Sequence, residues 1–312
     1  MENTFGDLLK SLRISRNLTR RELSRDICSE KQLERIEKNI NHPSLYILHQ
    51  FSSKLNIDLN NFYKDFYCFT SLDSNKYCKN ILIYIKNLNF TELKIIIDTI
   101  SNKSEFKSGN NYAHLCYGKA AYSFHIQKDY EQTISICELG IKEEIPGFKL
   151  LSSKTYIFSD IGYSMLNLIC GCYRKMEQFE TSINIAEQII NSIDKYYLSQ
   201  SYQSYYSMSF IVKLYQTSLC QIANINYNIG NYPVALTYIE KGISFSFDHD
   251  MSRLLSSFFE LKYLTLYKLG DYKNALKNYH CAKTLCENSN RIESALAMEK
   301  KATKEFSEIF NY

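Results

Sequence analysis

Near the start of the chain, apolar residues recur at helical spacing, and short polar signatures separate one run from the next. The first amphipathic run covers residues 5–14. Thr19–Glu22 and Ser29–Gln32 both have the form of a capping box, in which a hydroxyl caps a helix and a Glu or Gln three positions later reaches back. A fourth amphipathic run covers residues 45–55. Three apolar residues then complete the predicted core: Leu59, Phe62 and Tyr63. The pattern predicts five short helices, of which the second and third form a helix-turn-helix.

Beyond residue 75 a different pattern repeats along the chain. An Asn, Asp or Gln precedes an aromatic residue at five places: Phe90, Tyr130, Phe179, Tyr232 and Tyr272. Three positions later the residues are mostly small: Leu93, Thr133, Ser182, Ala235 and Ala275. Ten positions later they are Ile100, Gly140, Ile189, Gly242 and Ala282. Such self-similarity, with small residues at fixed offsets, is typical of stacked helix pairs.

This repeated pattern resembles the tetratricopeptide repeat, in which two antiparallel helices cross through small residues. The resemblance implies about five repeats in a right-handed superhelix with a concave surface, because each repeat contacts only its neighbours. Residues 194–209 are expected to extend a helix or to form an additional one, and the apolar run within 292–306 to form a capping helix. An all-α fold is therefore predicted, with a five-helix domain at residues 1–64, a linker at 65–75 and repeats at 76–312.

The N-terminal helices resemble the DNA-binding domain of the phage-repressor and xenobiotic-response-element family. The resemblance rests on Leu18–Leu23 and Ser29–Glu37. Where that family usually has Gly after the third helix, this chain has Lys38 and Asn39, and Asn tolerates the left-handed conformation needed there. Basic residues outnumber acidic ones between positions 10 and 38, whereas the whole chain of 312 residues has a net charge of only +4. A DNA contact face requires such a local excess.

The resemblance assigns roles on the repressor-type helix-turn-helix, since the start of its third helix enters the major groove. Three residues are expected to contact base edges: Glu30, Lys31 and Arg35. Gln32 is expected at the groove wall. Three residues are expected at phosphates: Thr19, Arg20 and Lys38. Arg13 and Glu37 are expected to pair with each other, and the alternative interpretation of the charges is a solvated helix face.

No residue pattern in the chain indicates an enzyme or a cofactor. The ten cysteines occur singly along predicted helices with no signal peptide ahead of them, so they are interpreted as reduced core residues of a cytosolic protein. Neither a zinc-binding spacing nor a Gly-rich phosphate loop nor a nucleophile elbow is present. The longest apolar stretches are too short to cross a bilayer.

A repressor-type helix-turn-helix followed by about five such repeats resembles the RRNPP family of Gram-positive quorum-sensing regulators, over the whole chain. The resemblance implies a cytoplasmic transcriptional regulator whose repeat groove binds a short signalling peptide. Because one helix-turn-helix reads only a half-site, a homodimer on an imperfectly palindromic operator is expected. The alternative is a Rap-like scaffold or response-regulator modulator without DNA-binding activity, but Rap proteins lack the two capped helices and the basic residues found here.

Inward-facing Asn side chains hold the peptide in that family, because an amide can both donate to and accept from a peptide backbone. The repeat register places Asn167 and Asn224 at such positions, and Arg174 or Lys119 is a candidate partner for the carboxylate of the peptide. The other residues expected to line the groove are Tyr122, Gly171, Gln221, Tyr227, Asn228, Glu260 and Tyr267. The alternative interpretation is an ordinary wet concave face.

Overall fold

The computed structural model describes four ranges of the chain: residues 4–60, 62–63, 72–198 and 208–311. The chain divides into two compact units, residues 1–115 and 116–312. The regular structure within the described ranges is helical, without a β-strand. The expected all-α fold is therefore confirmed.

The first unit opens with the helices of the predicted helix-turn-helix. Their bounds are Phe5–Ser15 (α1), Arg20–Ser24 (α2), Glu30–Glu37 (α3) and Leu45–Leu55 (α4). The residue before each helix caps it, because its side-chain oxygen accepts a hydrogen bond from a backbone N–H of the first turn. Thr19 and Glu22 form the complete capping box predicted for α2. Residues 59–60 and 62–63 are also helical, and Asn61 lies outside the described residues.

The core of these helices consists of buried apolar side chains from all four of them together with Leu59. Tyr63 adds its ring edge-on to Phe5, with 4.9 Å between the ring centroids. The expectation that Phe62 also joins the core is wrong, because its side chain is 36% exposed. Successive residues on a helix point about 100° apart, so Phe62 faces away when Tyr63 faces inward.

Asn39 ends α3 in the left-handed conformation expected from the sequence, with φ of 56°. Its side chain accepts a hydrogen bond from the Gly6 amide at 2.9 Å and donates one to the Thr4 hydroxyl at 2.6 Å. A Cβ at position 6 would lie 2.5 Å from the carbonyl oxygen of Ile36, so only glycine allows this approach. The start of α1 and the end of α3 are thereby joined.

The remaining helices form successive pairs with one additional helix at the end. Their bounds are Leu72–Lys86 (α5), Phe90–Ile100 (α6), Gly109–Tyr122 (α7), Tyr130–Glu144 (α8), Asp160–Lys175 (α9), Phe179–Ile193 (α10), Met208–Asn228 (α11), Tyr232–Asp248 (α12), Leu255–Lys268 (α13), Tyr272–Asn288 (α14) and Ile292–Glu305 (α15). The five aromatic residues of the repeated turn are each the first residue of the second helix of a pair. Within the segment 65–75 expected to be a linker, α5 begins at Leu72, and residues 65–71 lie outside the described residues.

The small residues of the repeat lie where neighbouring helices cross, within a pair or between successive pairs. All ten residues at the third and tenth positions after the repeated aromatics are buried. A Cβ at Gly140 would lie 2.6 Å from the sulfur of Met165, and a Cβ at Gly242 would lie 2.3 Å from the ring of Phe258. Real Cβ atoms do not approach other atoms so closely, so these crossings depend on small residues.

We expect Gly242→Ala to destabilise the repeats by about 1–3 kcal/mol, because the new methyl group collides with the Phe258 ring, which is fully buried. The thermal unfolding midpoint of the full-length protein, followed by circular dichroism, measures the effect. Gly147→Ala is the matched control, since a methyl group at position 147 would have nothing within 4 Å and its midpoint should stay at the wild-type value. Equal midpoints for both variants would contradict the crossing.

Two helical segments were predicted outside the repeated pairs, at residues 194–209 and within 292–306. Residues 194–198 continue from α10 as a π-helical turn, α11 begins at Met208, and residues 199–207 lie outside the described residues. The helix predicted near the C-terminus is α15, and Ala295, Met298 and Ala302 are buried on its inner face. Ile292 and Leu296 are 52% and 59% exposed, so they do not belong to that face. Ile292 lies three positions before Ala295, and Leu296 lies two positions before Met298. Both fall outside the narrow apolar stripe that α15 buries.

Candidate functional site

The outer face of α3 carries the residues expected to read bases. Leu33 and Ile36 turn into the core, which leaves Glu30, Lys31 and Arg35 exposed and Gln32 half-buried. Within the described residues, the side chains of Glu30, Lys31 and Arg35 make neither a hydrogen bond nor an ion pair. Their donors and acceptors are therefore available to a ligand that approaches this face.

Behind that face, two arginines bind one buried carboxylate. Glu37 accepts from Arg13 Nε at 2.6 Å and from Arg20 Nε at 2.8 Å, and Arg13 also donates to the carbonyl of Leu18. The Glu37 side chain is 1% exposed, the Arg13 side chain 10% and the Arg20 side chain 33%. The expected pairing of Arg13 with Glu37 is thus present, and Arg20 joins it. The hydrogen bond to Glu37 raises the pKa of the Arg20 guanidinium.

The residues assigned to phosphates all have a partner within the domain. Thr19 caps α2, Arg20 holds Glu37 through Nε, and the Lys38 ammonium pairs with Glu34 one turn earlier on α3. Arg20 keeps the two terminal nitrogens of its guanidinium for other acceptors, since only Nε is used. Exposed pairs such as Lys38 with Glu34 contribute little free energy and exchange readily for a phosphate.

Asn167 and Asn224 lie on the first helices of two successive pairs in the second unit. The Asn167 carbonyl oxygen accepts from the Gln221 amide at 3.1 Å, and the Gln221 carbonyl accepts from the Cys170 thiol at 3.3 Å. The Asn224 carbonyl accepts from the Asn228 amide at 2.8 Å. Both Asn167 and Asn224 are half-buried, and their NH2 groups have no protein partner in the described ranges. Each keeps two donors for an incoming carbonyl.

Asn167 opens into a pocket of about 240 Å³ between α7, α9, α11 and the turn that precedes α13. The residues that line it are Tyr117, Ser164, Asn167, Phe210, Lys213, Leu214, Thr217 and Arg253. Lys213 and Arg253 are both exposed, so two positive charges stand at its mouth. A carboxylate that entered this pocket would meet both cations and the Asn167 amide.

The sequence expectations did not include Lys213, Thr217 or Arg253. Thr217 lies seven positions before Asn224, and Arg253 lies seven positions before Glu260; both Asn224 and Glu260 were assigned to the groove. Lys213 lies seven positions before Cys220, which is on the same helix face as Asn224. Seven residues are two helical turns, so an extension of the inward register toward the start of each helix would have found Lys213 and Thr217.

Arg174 and Glu260 are charged groove residues that make no hydrogen bond or ion pair to another described residue. The Arg174 Nε atom is buried without a hydrogen-bond acceptor. Glu260 is half-buried, and no hydrogen bond or ion pair to another described residue involves its carboxylate. Burial raises the pKa of that carboxyl, while Lys301 and Arg291 act in the opposite direction. Both charges act on the thiol of Cys220, whose pKa burial raises to about 11: Arg174 lowers it and Glu260 raises it.

The other residues assigned to the groove differ in how far they are available. Gly171 is buried beneath the Phe124 ring, which would lie 3.4 Å from a Cβ at that position. The Tyr267 hydroxyl donates to Glu308 at 2.7 Å, and its ring packs edge-on against Phe306. Tyr227 packs against the ring of Tyr232, and Lys119 and Tyr122 are half-buried on α7.

Three features of the described residues bear on other kinds of chemistry. The described cysteines are free thiols, six of them buried. Histidine, cysteine and acidic side chains in the described ranges form no cluster that could hold a metal ion. The helices that the structure describes include none of the length and apolarity that crossing a membrane requires.

Comparison with known proteins identifies the N-terminal domain and finds solved structures similar in fold to nearly the whole chain. Residues 9–62 match the helix-turn-helix family model. PlcR of Bacillus thuringiensis, solved with the peptide PapR7 and DNA, is similar over 95% of this chain and 99% of its own, with 19% identity and a TM-score of 0.72. The pheromone receptor Rgg2 of Streptococcus dysgalactiae is similar over 96% and 99%, with 14% identity and a TM-score of 0.66.

A third similar structure is ComR of S. thermophilus, solved with DNA and its signalling peptide ComS. It covers 94% of this chain and 98% of its own, with 18% identity and a TM-score of 0.54. No curated protein sequence matches the chain. At these identities the similarity concerns the fold, and it extends over nearly the full length of each protein. The chain therefore has an N-terminal helix-turn-helix domain and, over nearly its whole length, the fold of PlcR, Rgg2 and ComR.

Proposed function

We propose that this protein is a DNA-binding transcriptional regulator whose activity is switched by a short peptide bound in the groove of its repeats. One observation carries the proposal: a single chain combines a helix-turn-helix with the repeat fold found in PlcR, and the PlcR structure contains both a peptide and DNA. The ComR structure likewise contains DNA and a signalling peptide. The exposed, unpaired side chains of α3 support the DNA-binding half of the proposal.

In this proposal α3 lies in the major groove with Glu30, Lys31 and Arg35 at base edges. Lys and Arg bind guanine, and Glu accepts from the amino group of cytosine. Gln32 lies at the groove wall. Thr19, Arg20 and Lys38 contact phosphates, which set the register of the domain on the duplex without reading its sequence. Two copies of the chain would bind two half-sites of an imperfect palindrome, about 34–36 Å apart or a multiple of that distance. A protein with this role acts in the cytoplasm.

The peptide lies in extended form along the first helices of the repeats. Asn167 and Asn224 donate their free NH2 groups to its backbone, and Gln221 and Asn228 hold the two asparagines in place. A cationic residue, Arg174 or Lys119, binds a carboxylate of the peptide. The groove is completed by Tyr122, Gly171, Tyr227, Glu260 and Tyr267.

The DNA-binding half is tested by Arg35→Ala. We expect this change to weaken binding to the operator by about 1–3 kcal/mol and to relax the preference at one base position, because a base-edge contact is lost. The operator is first selected from random DNA with the full-length protein, and titration of single-base variants then measures the preference. Lys10→Ala removes an equal charge from the exposed face of α1 and serves as the control. Unchanged affinity and preference in Arg35→Ala would remove Arg35 from the reading set.

The phosphate contacts make a separate prediction. Arg20→Gln removes one cation from the DNA face while Arg13 continues to neutralise Glu37. The slope of log affinity against log salt should therefore fall by about 0.9, and binding should weaken equally on all sequences. A wild-type slope, measured between about 50 and 200 mM salt, would show that Arg20 only joins α2 to α3 and does not contact DNA.

A further inference from the structure

Two charged side chains in the repeat groove, Arg174 and Glu260, make no hydrogen bond or ion pair to another described residue. They extend from α9 and α13, the helices on either side of α11, and Cys220 of α11 lies within range of both charges. The Arg174 Nε atom is buried and lacks an acceptor. Glu260 is half-buried and lacks a donor among the described residues.

Unpaired charges at half-buried positions are unfavourable in the free protein. A buried polar atom without a partner lowers the stability of the folded protein, and a buried charged group without one lowers it more. Structural roles do not offset this cost here, because neither Arg174 nor Glu260 holds another described residue by a hydrogen bond or an ion pair. By contrast, the buried charges of the first unit are fully paired at Glu37. A ligand that supplies both counterions would remove the cost.

We propose that the groove selects peptides that carry an anionic group for Arg174 and a cationic group for Glu260. This inference rests on the proposed function and specifies its ligand class. The anion is a carboxylate, either of an acidic side chain or of the C-terminus. The cation is an ammonium or guanidinium, either of a basic side chain or of the N-terminus. Each contact is a charge-assisted hydrogen bond in a half-buried place, where such bonds are stronger than in water.

The pocket beside Asn167 indicates where along the groove the acidic groups of the peptide should lie. Asn167 and Arg174 lie two turns apart on one face of α9, which separates them by roughly 10 Å along the helix. The pocket contains the cations Lys213 and Arg253 and no acidic residue. Arg174, Lys213 and Arg253 are therefore cations on the Asn167 side of the groove. The Glu260 carboxylate lies on α13, where Lys301 and Arg291 act on it without forming an ion pair. The acidic groups of the ligand should lie toward the pocket, and its single cationic group at Glu260.

The experiment uses the immobilised full-length protein and a positional-scanning library of heptapeptides. In each pool one position is Asp, Lys or Ala, and the other positions are mixed. One library has acetylated and amidated ends, and a second has free ends. The wild-type protein should retain an Asp pool and a Lys pool, at different positions, about tenfold above the corresponding Ala pools. Preference within the blocked library assigns the charges to side chains, and preference that requires free ends assigns them to the termini.

The variants separate the two charges. Arg174→Gln should lose the preference for the anion and keep that for the cation, and Glu260→Gln should do the reverse. Arg174→Lys retains the charge and should retain the preference for the anion. Lys175→Gln, an exposed neighbour on the same helix, is the matched control. All variants should keep the wild-type unfolding midpoint or exceed it, whereas a structural role for either charge would lower it.

Two outcomes would overturn the inference alone, and a third would overturn the proposed function as well. If the wild-type protein retains peptides but Asp, Lys and Ala pools are retained equally in both libraries, the groove binds peptides without regard to charge, and the proposed function survives alone. If variants at Arg174 and Glu260 leave the preferences of the wild-type protein unchanged, other residues read the charges. If no pool is retained at all, the proposed function itself fails.

Discussion

Glu37→Ala should destabilise the helix-turn-helix by about 3–5 kcal/mol, the largest loss of stability that we expect from any single substitution in the chain. Glu37 is the only described counterion of Arg13, which is itself buried, so the change leaves a charged guanidinium inside the domain. It also releases Arg20 from α3. Because small domains are stable by only about 5–15 kcal/mol, a change of this size removes a large part of their stability.

The effect is best measured by hydrogen exchange of the amides of α1 to α4 in the full-length protein, since exchange reports the stability of each part of a chain separately. Glu30→Ala removes an equal charge from the exposed end of α3 and should change the protection by less than about 0.5 kcal/mol. The double change Arg13→Met with Glu37→Leu should recover much of the loss, because it removes both buried charges. Equal protection in Glu37→Ala and Glu30→Ala would contradict the role of the buried carboxylate.

Asn167→Ala and Asn224→Ala should each weaken peptide binding by about 1–3 kcal/mol, a factor of roughly 5 to 150. Each side chain offers an NH2 group without a protein partner to a peptide carbonyl that has left water. Loss of the amide leaves that carbonyl unpaired. The fold should persist, because neither residue lies at a buried crossing position and both are half-buried. In cells, both variants should fail to respond to the peptide.

Calorimetry with a peptide recovered from the library measures the affinities, and thermal unfolding checks the fold. Asn184→Ala is the control, since Asn184 is exposed on α10, the second helix of its pair. It should bind with wild-type affinity. Wild-type affinity in Asn167→Ala and Asn224→Ala as well would mean that the peptide lies elsewhere and that the repeat register is misassigned.

The helices could be predicted from the sequence because local rules set their starts and crossings. Thr19 and Glu22 satisfy each other within one turn, so a capping box requires no tertiary information. Gly242 and Ala275 are small because a second helix passes over them, and the fixed spacing of such residues makes the repeat visible. The register then follows from helical geometry alone.

What could not be predicted depends on the reach of side chains between helices. The position of Arg20 in the sequence indicates a DNA contact, but its attachment to Glu37 requires α2 and α3 to be placed in space. The repeat register assigns Arg174 and Glu260 to the groove, yet only the structure shows that neither forms an ion pair with another described residue. Phe62 is apolar in a predicted helix, and its exposure is decided by the direction in which that segment meets the core.

Selection from random DNA with the full-length protein, with and without the heptapeptide pool, tests whether one chain reads DNA under the control of a peptide. We expect an enriched sequence with two inverted half-sites about one helical turn, or a multiple of it, apart. The recovery of that sequence should change when the peptides are present. An enriched sequence whose recovery is identical with and without peptides, or the absence of any enriched sequence under both conditions, would contradict peptide-controlled DNA binding by this protein.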